Sequence, residues 1–292
     1  MNPVNVPVPR RSVLYVPASN ARALEKARGL PADAIVLDLE DGVAPAAKPE
    51  ARAAAVAAVA GLAPREVVVR VNHASTPWGA ADLDAAARSG AHAVALPKVE
   101  SPEEVRAAED ALERAGAPAG LALWALVETP RGVLAADAIA GASPRLAALV
   151  AGTTDLVTAL GARHVPGRAP ILASLSWLVL AARAHGLAAL DGVHLALDDE
   201  AGFEAACAQG RDLGFDGKTL VHPRQIGPAN RAFAPGEEAV ASARRVLAAH
   251  AEAVERGSGV AVVDGRLVEA LHAEEARRLV ALAEAIAARG MG

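Results

Sequence analysis

Two stretches carry residues whose types and spacing suit chemistry: Leu126-Val127-Glu128-Thr129-Pro130-Arg131-Gly132-Val133 and Ala151-Gly152-Thr153-Thr154-Asp155-Leu156. Each sets a carboxylate where an apolar run gives way to a polar loop, as happens at the C-terminal mouth of a parallel barrel. Two such carboxylates can share one hard cation. With no His or Cys beside them, the all-oxygen donor set favours Mg²⁺ over Zn²⁺, with Mn²⁺ as the substitute. It also leaves positions for water and for the oxygens of a chelating 2-oxo acid. Taken singly, each acid is also an ordinary helix cap, so the elements that position them have to decide.

Short apolar, β-branched segments alternate with Ala-rich helical ones. Strands are expected over 12–18, 33–40, 66–72, 92–99, 121–129, 146–155, 189–197 and 216–222. Several are apolar throughout, which suits a parallel sheet covered by helices. Helices are expected over 20–28, 46–60, 80–88, 102–115, 171–185 and 200–213, and the polar loop 161–170 interrupts the pattern. Eight strand-plus-helix repeats of roughly 30 residues fit an α/β (β/α)₈ TIM barrel, although an open doubly wound sheet gives similar local patterns. Two further helices, 237–256 and 273–289, follow the eighth strand. Pro228, Pro235 and Gly236 mark the hinge. The expected division is a barrel over 1–227 and a C-terminal helical extension over 228–292 that covers the active site, its own or a neighbouring subunit's.

In a barrel the strand ends converge. Glu40, Asp41, Arg70, Asn72, Lys98, Glu128 and Asp155 all fall at such ends, more polar groups than capping alone requires. Arg70 has the planar fork to hold a substrate carboxylate or an enolate oxygen, and an ion pair with Glu40 or Asp41 is compatible with that role. Near the N-terminus Arg10, Arg11, Arg22, Lys26 and Lys48 could grip a phosphorylated handle or could be solvated surface charge.

Bulk properties exclude several classes. In 292 residues, 53% are hydrophobic but only 2% aromatic, because alanine dominates, and no apolar run reaches the roughly 18 residues of a membrane span. Residues 1–11 read as neither signal peptide nor transit helix, so a soluble cytoplasmic protein is expected. A net charge of -5 without basic blocks argues against nucleic acid. The one cysteine, Cys207, reads as a buried small hydrophobe on a helix.

The chain resembles the citrate lyase beta-subunit-like and malyl-CoA lyase family of the HpcH/HpaI aldolase and citrate lyase superfamily. The stretches that carry the resemblance, in family order, are Arg11-Ser12-Val13-Leu14-Tyr15-Val16-Pro17-Ala18-Ser19-Asn20, Val36-Leu37-Asp38-Leu39-Glu40-Asp41-Gly42-Val43, Arg70-Val71-Asn72, Leu96-Pro97-Lys98-Val99-Glu100, Val127-Glu128-Thr129-Pro130-Arg131-Gly132 and Phe215-Asp216-Gly217-Lys218-Thr219-Leu220-Val221-His222-Pro223. The resemblance implies a homotrimer or a multiple of trimers. It implies Mg²⁺ held by Glu128 and Asp155, Arg70 at the substrate carboxylate or enolate oxygen, and Glu40 and Asp41 in support around bound water. Arg11, Lys26 and Arg22 would face the CoA phosphates.

Such relatives make or break the carbon–carbon bond of a β-hydroxyacyl-CoA, giving an acyl-CoA and a 2-oxo acid. Their general base is an Asp of the C-terminal segment. In this chain the matching position is Glu269, within Asp264-Gly265-Arg266-Leu267-Val268-Glu269-Ala270-Leu271-His272, and Leu271 stands where the family has a Pro. Asp264 is the other candidate base. The leading expectation is a Mg²⁺-dependent carbon–carbon lyase. The alternatives are a malyl-CoA-type thioesterase at the same metal, and a citrate lyase beta subunit active only within its complex.

Overall fold

The structure, a computed structural model, describes residues 8–290. Residues 1–7, most of the segment expected not to be a leader, lie outside it. Eight parallel strands close into a barrel in sequence order: β1 (Ser12–Pro17), β2 (Ala34–Asp38), β3 (Glu66–Arg70), β4 (Ala93–Leu96), β5 (Ala122–Val127), β6 (Leu146–Ala151), β7 (Ala188–Asp191) and β8 (Gly217–Leu220), with β8 returning to β1. The barrel is closed, which settles the choice against an open sheet. All eight expected strands are present, each shorter than its apolar pattern.

Alternation along the strands decides which side chains enter the barrel. Val13, Ala34, Val36, Val68, Ala93, Ala95, Trp124, Leu126, Ala148, Val150 and Leu190 form the inner cluster. Their neighbours Leu14, Ile35, Leu37, Val67, Val69, Leu123, Leu149 and Ala189 pack outward into the larger core shared with the helices. Two-residue steps along the inner face run Ala34–Val36–Asp38 on β2, Val68–Arg70 on β3, Trp124–Leu126 on β5 to Glu128 just past its end, and Ala148–Val150 on β6 to Gly152 just past its end. The polar residues at the tops of these rows form one layer at the C-terminal mouth.

The opposite end of the barrel is closed by structural charge. Arg10 lies over the Trp124 ring at 5.1 Å and pairs with Glu66 through two bonds of 2.7 Å. Arg11 makes a two-bond pair with the buried Asp33, at 2.9 and 3.0 Å.

The chain divides after Phe233, into a barrel unit Arg10–Phe233 and a C-terminal unit that begins at Ala234. The expected boundary at 227 is therefore corrected by six residues. Helix Ile226–Phe233 buries Ile226, Ala229 and Phe233 in the barrel's outer core. Pro228 is not a hinge because it sits in the first turn of that helix, where the missing N–H costs nothing. The C-terminal unit holds helices Glu237–Glu255 and Ala270–Ala288 with an antiparallel hairpin between them, β9 (Ala261–Val263) and β10 (Arg266–Val268). Its two-residue turn is Asp264-Gly265, both at positive φ, as a primed hairpin turn requires. No helix among the described residues is long and apolar enough to cross a membrane.

Candidate active site

The mouth of the barrel encloses a cavity of about 350 Å³ whose walls include Tyr15, Asp38, Asp41, Arg70, Glu128, Gly152, Thr153 and Asp155. Glu128 stands just beyond the end of β5 and is buried. Its Oε1 accepts the backbone N–H of Lys98 at 2.7 Å. Asp155 lies in the first turn of helix Thr153–Ala159, where the positive end of the helix dipole favours its charge. Glu128 and Asp155, expected as a pair, thus line one cavity.

Arg70 is held harder than the sequence suggests. Its Nε and Nη2 donate to the two oxygens of Asp38 at 2.7 and 2.8 Å, and Nη1 lies 2.9 Å from Glu40 Oε2 but out of hydrogen-bonding alignment. Asp41, the other expected partner, is 3.9 Å away, and the Tyr15 ring stacks 4.7 Å from the guanidinium carbon. Burial works against the Arg70 charge. The Asp38 bonds and the charges of Asp38 and Glu40 outweigh it and raise the pKa above its ordinary value. Nη1 remains free to donate to a substrate anion.

Lys98, expected at a strand end, Gly152 and Tyr15 complete the layer. Lys98 follows β4 with φ +50, and its ammonium lies 2.6 Å from Glu40, 3.5 Å from Asp155 and 3.7 Å from Asp41. At Gly152, a Cβ would stand 2.2 Å from Glu128 Cβ and 2.3 Å from its Oε2. Only glycine lets the Glu128 side chain fill that space. Tyr15 contributes a phenol whose pKa burial raises, so it stays neutral and can donate.

The acids of the cavity outnumber its cations, and the consequence falls on Glu128. Burial, with the charges of Glu40 and Asp155, pushes its pKa up to about 7. An ionised carboxylate in that position calls for a further cation. The donors of Glu128 and Asp155 are all oxygen. That fits Mg²⁺, which keeps much of its water and takes one or two carboxylates.

A pH dependence follows from that shift. Between the ordinary value of 4.5 and about 7, the folded metal-free chain keeps a proton that the unfolded chain has lost. Its stability therefore falls as pH rises through that window. A cation needs the ionised form, so Mg²⁺ affinity should rise with pH and level off above about 7. Calorimetric titration at three pH values should give up to about tenfold weaker binding one unit below the plateau, with proton release there. A flat affinity profile sinks this assignment.

The other sequence-derived residues are dispersed. Arg11 is corrected: it precedes β1, so it lies at the closed end of the barrel, buried against Asp33 and away from any CoA phosphate at the mouth. Arg22 and Lys26 are exposed on helix Ala21–Ala27, which leaves the mouth end of β1. Glu269 belongs to the C-terminal unit, where it precedes helix Ala270–Ala288 and its N–H donates to His272 Nδ1 at 3.1 Å. Asp264 sits in the hairpin turn, paired with Arg245 at 3.0 Å. Cys207 is fully buried and burial pushes its thiol up to about 11, away from nucleophilic chemistry.

The model of the HpcH/HpaI aldolase/citrate lyase family matches residues 11–223, the whole barrel unit but its edges. The chain belongs to that family. This HpcH/HpaI family member is 50% identical over 282 residues, 96% of each chain, to a (3S)-malyl-CoA thioesterase of Cereibacter sphaeroides. It is 36% identical to the citrate lyase subunit beta of Escherichia coli, over 94% of this chain and 93% of that one. Among solved structures, CitE from Mycobacterium tuberculosis in complex with magnesium, acetoacetate and coenzyme A superposes with a TM-score of 0.75. That chain is 35% identical, and the match covers 94% of this chain and 97% of the other. The family member is thus one of an enzyme superfamily of CoA-ester-related aldolases and lyases.

Proposed function

We propose that this protein is a Mg²⁺-dependent hydrolase of a malyl-type β-hydroxyacyl-CoA thioester. The observation that carries the reading is the cavity lined together by Asp155, Arg70 and buried Glu128, whose pKa burial and its acidic neighbours raise. The 50% identity to a malyl-CoA thioesterase, over nearly the full length of both chains, directs the choice of reaction. This reverses the order expected from sequence, which put carbon–carbon cleavage first.

Glu128 and Asp155 would hold the ion. When bound, Mg²⁺ supplies Lewis-acid polarisation of substrate oxygens. The rest falls to the chain. Arg70, kept rigid by Asp38 and Tyr15, anchors the terminal carboxylate of the acyl group. Glu40 and Asp41 sit beside that anchor, where they can accept a proton from water. Glu269 is retained as the candidate base from the C-terminal unit, which suits an oligomer such as a trimer. Arg22 and Lys26 are the candidate contacts for the CoA phosphates. In hydrolysis, water adds to the thioester carbonyl, the carbon–sulfur bond breaks, and the proton goes to the departing thiolate.

The second reading is carbon–carbon cleavage, supported by the citrate lyase beta relative and by the same carboxylate pair. Product analysis with malyl-CoA and Mg²⁺ separates them. Hydrolysis gives free CoA thiol and malate with no oxo acid. Cleavage gives acetyl-CoA and glyoxylate with no free thiol. No turnover by the isolated chain with either outcome would favour a subunit that works only within a complex.

A further inference from the structure

Lys98 grips the carboxylates of the cavity with both its backbone and its side chain. The residue occupies the left-handed region, φ +50, where a non-glycine residue is strained. That conformation turns its N–H onto Glu128 Oε1 at 2.7 Å while its ammonium reaches Glu40 Oε1 at 2.6 Å and Asp155 Oδ2 at 3.5 Å. Among the described residues, Lys98 is a charged partner of Asp155, at 3.5 Å. Its side chain is 38% exposed, so it can withdraw toward solvent without breaking the core.

We infer that Lys98 is a built-in counter-cation: in the metal-free protein its ammonium neutralises Asp155 and Glu40, and a divalent cation must compete with that ammonium to bind. The inference rests on the reading of Glu128 and Asp155 as the metal-holding pair. It separates two functions within one residue. The backbone N–H orients Glu128 and serves binding. The ammonium keeps mutually repelling acids together when no metal is present, and opposes binding. Cation affinity is thereby set lower than the acidic cluster alone would give. Even with water-like screening, a unit charge about 5 Å from a divalent ion changes affinity by roughly tenfold.

The substitution that isolates the ammonium is Lys98→Gly, because glycine adopts the positive φ without strain and keeps the N–H on Glu128. Lys98→Arg keeps the charge. Mg²⁺ binding to the metal-free full chain, titrated by calorimetry, should be about tenfold tighter in K98G than in wild type, and within about threefold of wild type in K98R. A second readout does not involve turnover. Without metal, K98G should melt below wild type because the acids lose their counter-charge, and saturating Mg²⁺ should raise its melting temperature by more than it raises that of wild type.

Folding of K98G is checked by circular dichroism. If folded K98G binds Mg²⁺ no more tightly than wild type, the inference is overturned while the metal site stands. If wild type itself binds no Mg²⁺, the reading of the metal pair fails and the inference falls with it. Should K98G not fold, Lys98→Met replaces it and is judged by the same criterion.

Discussion

Replacing Glu128 by glutamine is expected to abolish Mg²⁺ binding at micromolar to millimolar levels and to lower kcat/KM by about 10³-fold or more, a loss of roughly 4 kcal/mol of transition-state stabilisation. The change is isosteric, and the amide oxygen can still accept the Lys98 N–H that now binds Oε1 at 2.7 Å, so the side chain should keep its place. What disappears is a negative charge that burial, Glu40 and Asp155 already disfavour, as the pKa pushed up to about 7 records. The metal-free E128Q protein should therefore be more stable than wild type above neutral pH, since the unfolded chain bears no such repulsion. Calorimetric Mg²⁺ titration and thermal unfolding without metal check the two halves separately. Loss of activity with a lowered metal-free melting temperature would mean damage to the fold and would count against the site. Near wild-type turnover at limiting Mg²⁺ would remove Glu128 from the metal pair.

Glu128 could be found in the sequence because two rules coincide there. An apolar run ends, and the residue keeps step with the inward positions Trp124 and Leu126. The same two-residue step places Asp38 after Ala34 and Val36 and Arg70 after Val68. Glu40 and Asp41 are the partners expected for Arg70, whereas parity in the strand brings Asp38 to it, and the structure follows parity. At Arg11 the direction of the chain decides. A residue just before a strand lies at the end of the barrel opposite one just after it, so Arg11 and Glu128 cannot face the same ligand. Other features had no signal in one sequence. The positive φ of Lys98 is imposed by the barrel's closure around it, not by a glycine or asparagine that would mark it. The relation between the two units of the chain likewise has no local signature, and with it the role of Glu269.

Gly152 is the clearest case of a functional residue hidden by its own simplicity, and Gly152→Ala should be as damaging as loss of a ligand. The added methyl would stand 2.2 Å from Glu128 Cβ, 3.0 Å from its Cδ and 2.3 Å from Oε2. A Cβ fixed on the backbone cannot swing aside as a flexible tip can, so either the chain ends after β5 and β6 spread or Glu128 leaves its rotamer. Overpacking of this kind costs about 1–3 kcal/mol, read as a melting temperature lower by about 2–10 °C. The larger effect falls on chemistry, because displacing a catalytic group by about 1 Å can cost roughly 10²-fold in rate. G152A should thus lose at least that factor in kcat/KM and bind Mg²⁺ more weakly while its circular dichroism stays that of a barrel. Gly29→Ala is the matched control. At that position a Cβ meets nothing within 4 Å and φ is not positive, so the same methyl should leave melting temperature, Mg²⁺ affinity and turnover near wild type. If G152A keeps turnover within threefold of wild type, the close approach of β6 to Glu128 does not set the geometry of the site, and the placement of the Glu128 carboxylate must rest on the Lys98 N–H alone.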